Sequence, residues 1–170
     1  MFKNKIKIQK IDIYSFIIIS LIFASDRFSK IYAIKLIESK GREIFLSDFL
    51  NITLNWNTGI GFGLLSFDGS IFYHTISLLI LIIIIYLIYL MVMSDSLGKI
   101  IFSIIIGGAS GNLYDRLTYF AVPDFIDFHI NNFHWFTFNF ADIFISIGIF
   151  AMIIRELIFR KWKKTIIKNF

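Results

Sequence analysis

The chain has 170 residues, of which 57% are hydrophobic, and its formal net charge is +5. A soluble domain of this length cannot bury so much apolar surface, so the composition predicts a protein that lies in lipid. Cysteine is absent, which excludes disulfides, thiolate metal sites and a cysteine nucleophile.

The basic residues are concentrated at the two ends of the chain. Four lysines lie in the first ten residues, and six basic residues against one acid follow from Arg155 onward. A basic end can bind nucleic acid, but two basic ends that flank apolar segments mark the cytoplasmic side of a membrane. We therefore predict that both termini lie inside, that the number of spans is even and that no nucleic acid is bound.

Stretches without charged residues run through 13–25, 69–94, 100–114 and 143–154. A helix needs about 20 residues to cross the hydrocarbon core, so only the second stretch qualifies unaided and the others must carry polar residues into the membrane. We predict an α-helical membrane protein, a four-transmembrane-helix bundle in a single polytopic domain, residues 1–170. The expected helices are 11–33, 69–93, 98–117 and 139–159, and the expected extracytoplasmic segments are 34–68 and 118–138.

The first stretch also resembles a secretory signal, because a basic region and a short apolar core precede the small pair Ala24-Ser25. Cleavage there would leave three spans and put the basic C-terminus outside, against the charge rule. Four uncleaved helices are the preferred interpretation.

The two outer segments differ in composition. Apolar and β-branched residues in 42–57 predict short strands at the membrane interface. The segment 117–138 is rich in aromatic residues, which commonly sit at headgroup depth, so we interpret it as a loop with interfacial anchors.

Three acids share one depth when the four helices are threaded from inside to outside. Asp26, Asp115 and Asp142 then lie about one helical turn below the outer surface. Ionisable groups within a membrane are costly and indicate a functional site. Helix capping explains Asp142 equally well, and ion pairs with Lys30 and Arg116 explain the other two acids as structural.

Two of these acids have an asparagine on the same helical face. Asn112 precedes Asp115 by three residues, and Asn139 precedes Asp142 by three, so the two faces can form one polar pocket. Asp124 follows in a loop that can fold back over it. Two carboxylates in a low-dielectric pocket cannot both ionise, so one acts as acid and the other as base toward water. The spacing permits this arrangement without establishing it.

A metal site and a lone histidine are weaker interpretations. His129 and His134, near Asp124 and Asp127, have ligand chemistry, but the HExxH spacing is absent. His74 stands alone in the second helix and is interpreted as an interfacial polar residue.

Two other function classes stay open. The run GASG, 108–111, resembles the GxSG of rhomboid serine proteases with Ser110 as nucleophile, although Gly107 and Gly111 also form a GxxxG close-packing face. A non-enzymatic subunit or ion-coupled transporter would use the acids as a proton relay. A relay needs ionisable residues spread through the bilayer, whereas here they cluster at one depth.

Five motifs, taken in order, resemble the lipoprotein signal peptidase family, the bacterial signal peptidase II. They are DRFSK at 26–30, NTGIGF at 57–62, GNLYDR at 111–116, VPDF at 122–125 and FNFAD at 138–142. Gly61 stands where the family has another small residue, which leaves the local shape in doubt. The resemblance extends along essentially the whole chain.

The resemblance implies an intramembrane aspartic endopeptidase with four transmembrane helices and a small extracytoplasmic β-like cradle. Asp124 and Asp142 would be the catalytic pair, without metal or organic cofactor. The substrates would be prolipoproteins cut on the N-terminal side of a cysteine that carries diacylglycerol. The protein would be a monomer among the lipids of the bacterial inner membrane, with its active site near the outer leaflet. The supporting and substrate-binding residues would be Asp26, Lys30, Asn57, Gly59, Asn112, Asp115, Arg116 and Asn139.

Overall fold

The computed structural model describes residues 9–41, 43–59, 70–131 and 133–168. Residues 60–62 of the second motif, with Gly61, and the lysines of the first eight residues lie outside the described residues. Four helices and four strands are present. They are α1 (Lys10–Lys40), β1 (Ile44–Ser47), β2 (Leu50–Asn57), α2 (Ser70–Met93), α3 (Ser96–Tyr119), β3 (Val122–Ile130), β4 (Phe133–Phe138) and α4 (Phe140–Lys168).

The first and last helices are longer than predicted. No residue that breaks a helix occurs in α1 before Gly41, which takes the left-handed conformation with φ of 63° and donates its N–H to the Ile37 carbonyl at 2.8 Å. The basic residues that end α4 are good helix formers, so the helix continues through the charged stretch to Lys168. Charge marks where a membrane span ends, but it does not end a helix.

The strands form one antiparallel sheet in the order β1-β2-β3-β4. The strands predicted in 42–57 are present as β1 and β2. The interpretation of 118–138 as a loop is wrong, because most of it forms the β3–β4 hairpin. Its aromatic and β-branched residues favour strands as well as interfaces. In the register of the sheet, Asn55 of β2 pairs with Asp124 of β3.

Helix α3 lies at the centre of the bundle and packs closely through its glycines. A Cβ atom on Gly107 would lie 2.9 Å from the Cβ of Ile22 in α1. On the α4 side, a Cβ on Gly108 would lie 2.7 Å from the Ala141 carbonyl oxygen. A Cβ on Gly111 would clash with Asp26, which like Ile22 belongs to α1. The close-packing face predicted from Gly107 and Gly111 is therefore confirmed, and it lies against α1.

The two ends of the helical bundle carry different polar groups. At one end, Lys99 Nζ bonds to Asp12 at 2.5 Å and Arg155 Nη2 to Asp95 at 2.8 Å, which ties the start of α1 and the body of α4 to the α2–α3 turn. The sheet and the buried acids lie at the other end.

Two helices are long and apolar enough to cross a membrane within the described part of the chain, over Tyr73–Met93 and Ser96–Tyr119. Helix α2 is apolar all round, and most of its side chains are exposed. An exposed helix of this composition is typical of contact with lipid.

Candidate active site

Asn139 and Asp142 form the N-terminal cap of α4. The Asn139 side-chain oxygen accepts from the Asp142 N–H at 3.1 Å, and the Asp142 carboxylate accepts from the Asn139 N–H at 3.1 Å. This reciprocal pair is a capping box, so the capping interpretation of Asp142 is confirmed. Capping also fixes the direction in which the carboxylate points.

The second oxygen of Asp142 bonds to α3. Asn112 donates its Nδ2–H to Asp142 Oδ1 at 2.8 Å, so the two Asn-Asp faces predicted from the sequence meet. Asp142 is half-buried, with part of its surface open. Within the described chain both of its oxygens accept from uncharged N–H groups.

Asp124 enters from the sheet and is held by Asn139 and by one further asparagine, Asn57. Asn139 donates its Nδ2–H to Asp124 Oδ1 at 2.5 Å, and Asn57, the last residue of β2, donates to Oδ2 at 3.0 Å. Asp124 is 3% exposed. Burial, and then the neighbouring carboxylate of Asp142, raise its pKa to about 6. Asn139 therefore contacts both carboxyl groups, one with its side chain and one with its backbone.

The two carboxyl groups open on one cavity of about 540 Å³ at the junction of sheet and bundle. Its wall is polar where the asparagines lie and apolar along β4 and the first turns of α4. The lining residues are Asn57, Asn112, Arg116, Val122, Asp124, Phe136, Thr137, Phe138, Asn139, Asp142, Ile143, Ser146 and Ile147. An apolar cavity with a few convergent polar groups is typical of a ligand-binding site.

A buried charge cluster lies behind the asparagines and centres on Lys30. Its ammonium donates to Asp26 at 2.8 Å, to Asp115 at 2.7 Å and to the Asn112 side-chain oxygen at 2.8 Å. The last bond fixes which way the Asn112 amide points, so that its Nδ2 faces Asp142. The predicted pair of Asp26 and Lys30 is thus confirmed, as part of a larger network.

The partner predicted for Asp115 is wrong. Arg116 follows Asp115 directly and so points to another face of α3. Asp115 instead binds Arg27, which also lies over the Tyr114 ring at 4.7 Å. Arg27 was missed because it occupies a variable position inside DRFSK, and spacing gives no reason to pair it with a residue 88 positions away.

Asp26 has a role that the sequence did not indicate. It lies late in α1, where capping of its own helix is disfavoured. Its Oδ1 accepts from the Ala141 N–H at 2.9 Å, which satisfies a free donor in the first turn of α4. Gly111 of α3 lies against the same carboxylate, where a Cβ would clash. Asp26 therefore positions the helix that carries Asp142.

Arg116 and Gly59 connect the bundle to the end of β2. Arg116 Nη2 donates to the Gly59 carbonyl at 3.3 Å, and the Gly59 N–H donates to the Asn57 side-chain oxygen at 3.1 Å. The Nε atom of Arg116 is buried without a partner among the described residues. Arg116 is among the residues that line the cavity.

The competing site hypotheses find less support. None of the three histidines, all of which are described, hydrogen-bonds to Ser110. His134 bonds to Asp127 at 2.6 Å, and His74 makes an edge contact with Phe120 at 5.9 Å. The group with metal-ligand geometry includes Asp127 and His134 without Asp124. Among the described residues, a serine–histidine site is absent.

The chain is similar to known proteins along most of its length. The sequence model of the family described as signal peptidase (SPase) II matches residues 18–158. A lipoprotein signal peptidase from Pelagibacter ubique is 48% identical over 98% of this chain and 99% of that protein. A lipoprotein signal peptidase from Thermodesulfovibrio yellowstonii is 41% identical over 82% of this chain and 91% of that protein.

Two solved structures share the fold. Both are described as bacterial membrane enzymes studied by the in meso method, at 2.3 and 1.9 Å resolution. Their sequences are 29% and 30% identical to this chain, and their TM-scores against it are 0.65 and 0.66. Each match covers 85% of this chain. It covers 87% of the first matched structure and 92% of the second.

Fold and site together define a membrane enzyme that has a helical bundle, a small sheet at one end of it and two carboxyl groups that open on one cavity. The matches then assign the lineage: the chain belongs to the signal peptidase II family. It is therefore a protease, and the aspartic type fits the family.

Proposed function

We propose that this chain removes the signal peptide from diacylglyceryl-modified prolipoproteins, cutting on the N-terminal side of the lipidated cysteine, with Asp124 and Asp142 as the catalytic pair. The observation that carries the proposal is the position of the two carboxyl groups. They share Asn139 and open on one cavity, and in the described residues neither forms an ion pair with lysine or arginine.

Neutral donors suit a pair that must exchange a proton. An ammonium or guanidinium group would hold each carboxylate ionised, whereas amide donors orient it and leave one proton to be shared. The proton belongs to the pair as a unit. The ionised member takes a proton from water, and the water oxygen bonds to the scissile carbonyl carbon. The protonated member gives its proton to the carbonyl oxygen, which yields a tetrahedral diol.

Collapse of the diol completes the reaction. The protonated member of the pair gives its proton to the amide nitrogen, while the ionised member takes a proton from one hydroxyl of the diol. The C–N bond breaks, the signal peptide leaves with a carboxylic acid, the cysteine keeps a free amine, and the pair again holds one proton. Arg116 supports this scheme because it lines the cavity, where its guanidinium can donate to a substrate carbonyl in a region where water is scarce. Asn57, Gly59 and Asn112 act as positioning residues. Asp26, Lys30 and Asp115 support them from behind.

The cleavage rate is expected to fall as pH rises through about 6, the raised pKa of Asp124. Below this pH the pair keeps its shared proton. Above it Asp124 loses its proton, the acid is lost, and kcat/KM drops by about tenfold per pH unit. The measurement is kcat/KM for a diacylglyceryl-modified prolipoprotein between pH 4.5 and 8.5 in buffers of about equal ionic strength. A rate that rises through pH 6 would show that the fully ionised pair is the reactive form.

The membrane arrangement is part of the proposal. All four helices of the single domain span the bacterial inner membrane, both termini are cytoplasmic, and the site lies near the outer leaflet. The contacts that bring Asp12, Asp95 and Arg155 to the end opposite the sheet support it. The exposed apolar surface of α2 fits membrane lipids. A monomer suffices, because every residue of the site comes from one chain.

Cysteine labelling tests this arrangement. In the cysteine-free chain, Ser70→Cys is expected to react with an impermeant thiol reagent added outside intact cells, and Ser96→Cys only after the membrane is opened. These positions stand at the starts of α2 and α3, at opposite ends of the bundle. Labelling with the two sides exchanged would overturn the orientation, and labelling of both from outside would overturn the span of α2.

A further inference from the structure

A second polar cluster lies on the sheet, beyond the catalytic pair. Asp127 Oδ2 lies 2.6 Å from His134 Nδ1 and 3.7 Å from His129 Nδ1, and the two imidazole rings stack at 5.5 Å. Glu43, directly before β1, completes a group in which ligand atoms of Glu43, Asp127 and His134 lie within 4.8 Å of one another. Three strands therefore bring two carboxylates and two imidazoles together.

Two atoms of this cluster are buried without a partner in the described part of the chain. They are Asp127 Oδ1 and His129 Nδ1, and their residues are 1% and 6% exposed. A buried carboxylate oxygen without a donor is costly, and native structures rarely leave one unsatisfied. The bond between Asp127 and His134 uses only the other oxygen. The cluster thus has unused ligand capacity in its interior.

An irregularity of the sheet produces this arrangement. The register shifts between Phe128 and His129, so that Phe128 pairs with Phe136 while His129 pairs with His134, and Trp135 is passed over. Bulges of this kind redirect side chains and often lie beside functional sites. Without the shift, His129 would face Trp135, and the two imidazoles would not meet.

We propose that Glu43, Asp127 and His134, with His129 beside them, form a binding site for a divalent transition-metal ion of the zinc class. Carboxylate and imidazole ligands in this number suit Zn²⁺, whereas Mg²⁺ and Ca²⁺ prefer oxygen ligands alone. This proposal goes beyond the peptidase activity and does not depend on it. The metal has no part in the hydrolysis.

The fit requires the exposed ligands to adjust: the ligand atoms of the group lie within 4.8 Å of one another and must draw toward one ion, which the exposed Glu43 side chain allows. Two ligands on one zinc ion, each bonded at about 2.0–2.1 Å in tetrahedral geometry, lie about 3.3 Å apart. The Asp127–His134 separation of 2.6 Å must therefore open by less than about 1 Å. The His134 side chain is 54% exposed and can move outward, while Asp127 stays in place.

The site adjoins the catalytic pair through a second cavity of about 480 Å³, whose wall includes Asp124, Asp127 and His134. Asp127 follows Asp124 by three residues on β3. A metal that joins β3 to β4 and to the start of β1 stiffens the strand that carries Asp124. Its effect is therefore on the stability of the sheet.

The test is zinc binding by purified, chelator-treated full-length protein without a polyhistidine tag. Titration calorimetry with ZnCl₂ is expected to give about one equivalent per chain and to raise the thermal midpoint, because a ligand of the folded state stabilises it. His134→Gln and Glu43→Gln, both at exposed side chains, are expected to weaken zinc binding by about 100-fold, since even groups that surround ligands typically contribute 10- to 100-fold.

His74→Gln is the matched control, because it removes an exposed histidine on α2 that is distant in the sequence from the cluster. This variant is expected to bind zinc as the unchanged protein does. Absence of saturable zinc binding, or equal binding in both cluster variants and the control, would refute the site. Binding of Mg²⁺ from MgCl₂ as tightly as Zn²⁺ from ZnCl₂ would refute the assignment of imidazole groups as ligands. Cleavage that persists in excess chelator agrees with the non-catalytic role, and cleavage that stops would contradict it.

Discussion

Asn in place of either Asp124 or Asp142 is expected to lower the cleavage rate by about 10³-fold or more, which is within the range that general acid–base catalysis contributes. An amide cannot accept the proton of water, and it cannot share a proton with the remaining carboxyl group. Both aspartates also accept all of their described hydrogen bonds from N–H groups. In each variant, one donor would therefore face the new NH₂ group.

The rate is measured on a diacylglyceryl-modified prolipoprotein, with Asp48→Asn and Ser110→Ala as controls. Asp48→Asn makes the same chemical change at an exposed turn between β1 and β2. Ser110 tests the serine-protease alternative. Both controls are expected to retain nearly the full rate. A large loss in Ser110→Ala, together with activity in either catalytic variant, would transfer the chemistry to the serine.

Met in place of Lys30 is expected to destabilise the protein by about 3–5 kcal/mol, the usual effect of removing one partner from a buried ion pair. Lys30 is 0% exposed and holds two carboxylates, Asp26 and Asp115, that are equally buried. Without the ammonium these charges lie close together in the bundle. The Asn112 amide also loses the bond that fixes its orientation toward Asp142.

Lys99→Met provides the matched control for this prediction. Lys99 also binds an aspartate, Asp12, but that carboxylate is 34% exposed, so solvent screens the pair and its loss is expected to lower the stability far less than the loss of Lys30. The measurement is denaturant unfolding of both variants in one detergent. If Lys30→Met is no less stable than Lys99→Met, the buried network does not hold the bundle together.

The helical part of the proposed catalytic site follows largely from the sequence. Asn112, Asn139 and Asp142 were placed on common faces by helical spacing alone, and these contacts are present. The role of Asp124 was not readable in that way. It required the family resemblance, because Asp124 reaches the helices through a strand whose register depends on contacts distant in the sequence.

The parts that sequence reasoning missed are tertiary. Asp26 caps a helix more than 100 residues further along the chain, and no local rule relates it to the Ala141 N–H. The β3–β4 hairpin was taken for a loop because aromatic residues suit both strands and membrane interfaces. The bulge that aligns His129 with His134 is set by the sheet and has no signature in the spacing of the two histidines.

The most direct test of the catalytic pair is mass analysis of the products from purified enzyme and one chemically defined diacylglyceryl-prolipoprotein. The unchanged protein and Ser110→Ala are expected to release a signal peptide that ends immediately before the lipidated cysteine. Asp124→Asn and Asp142→Asn are expected to release none in the same time. The same product at the unchanged rate from either aspartate variant would contradict the assignment of the pair.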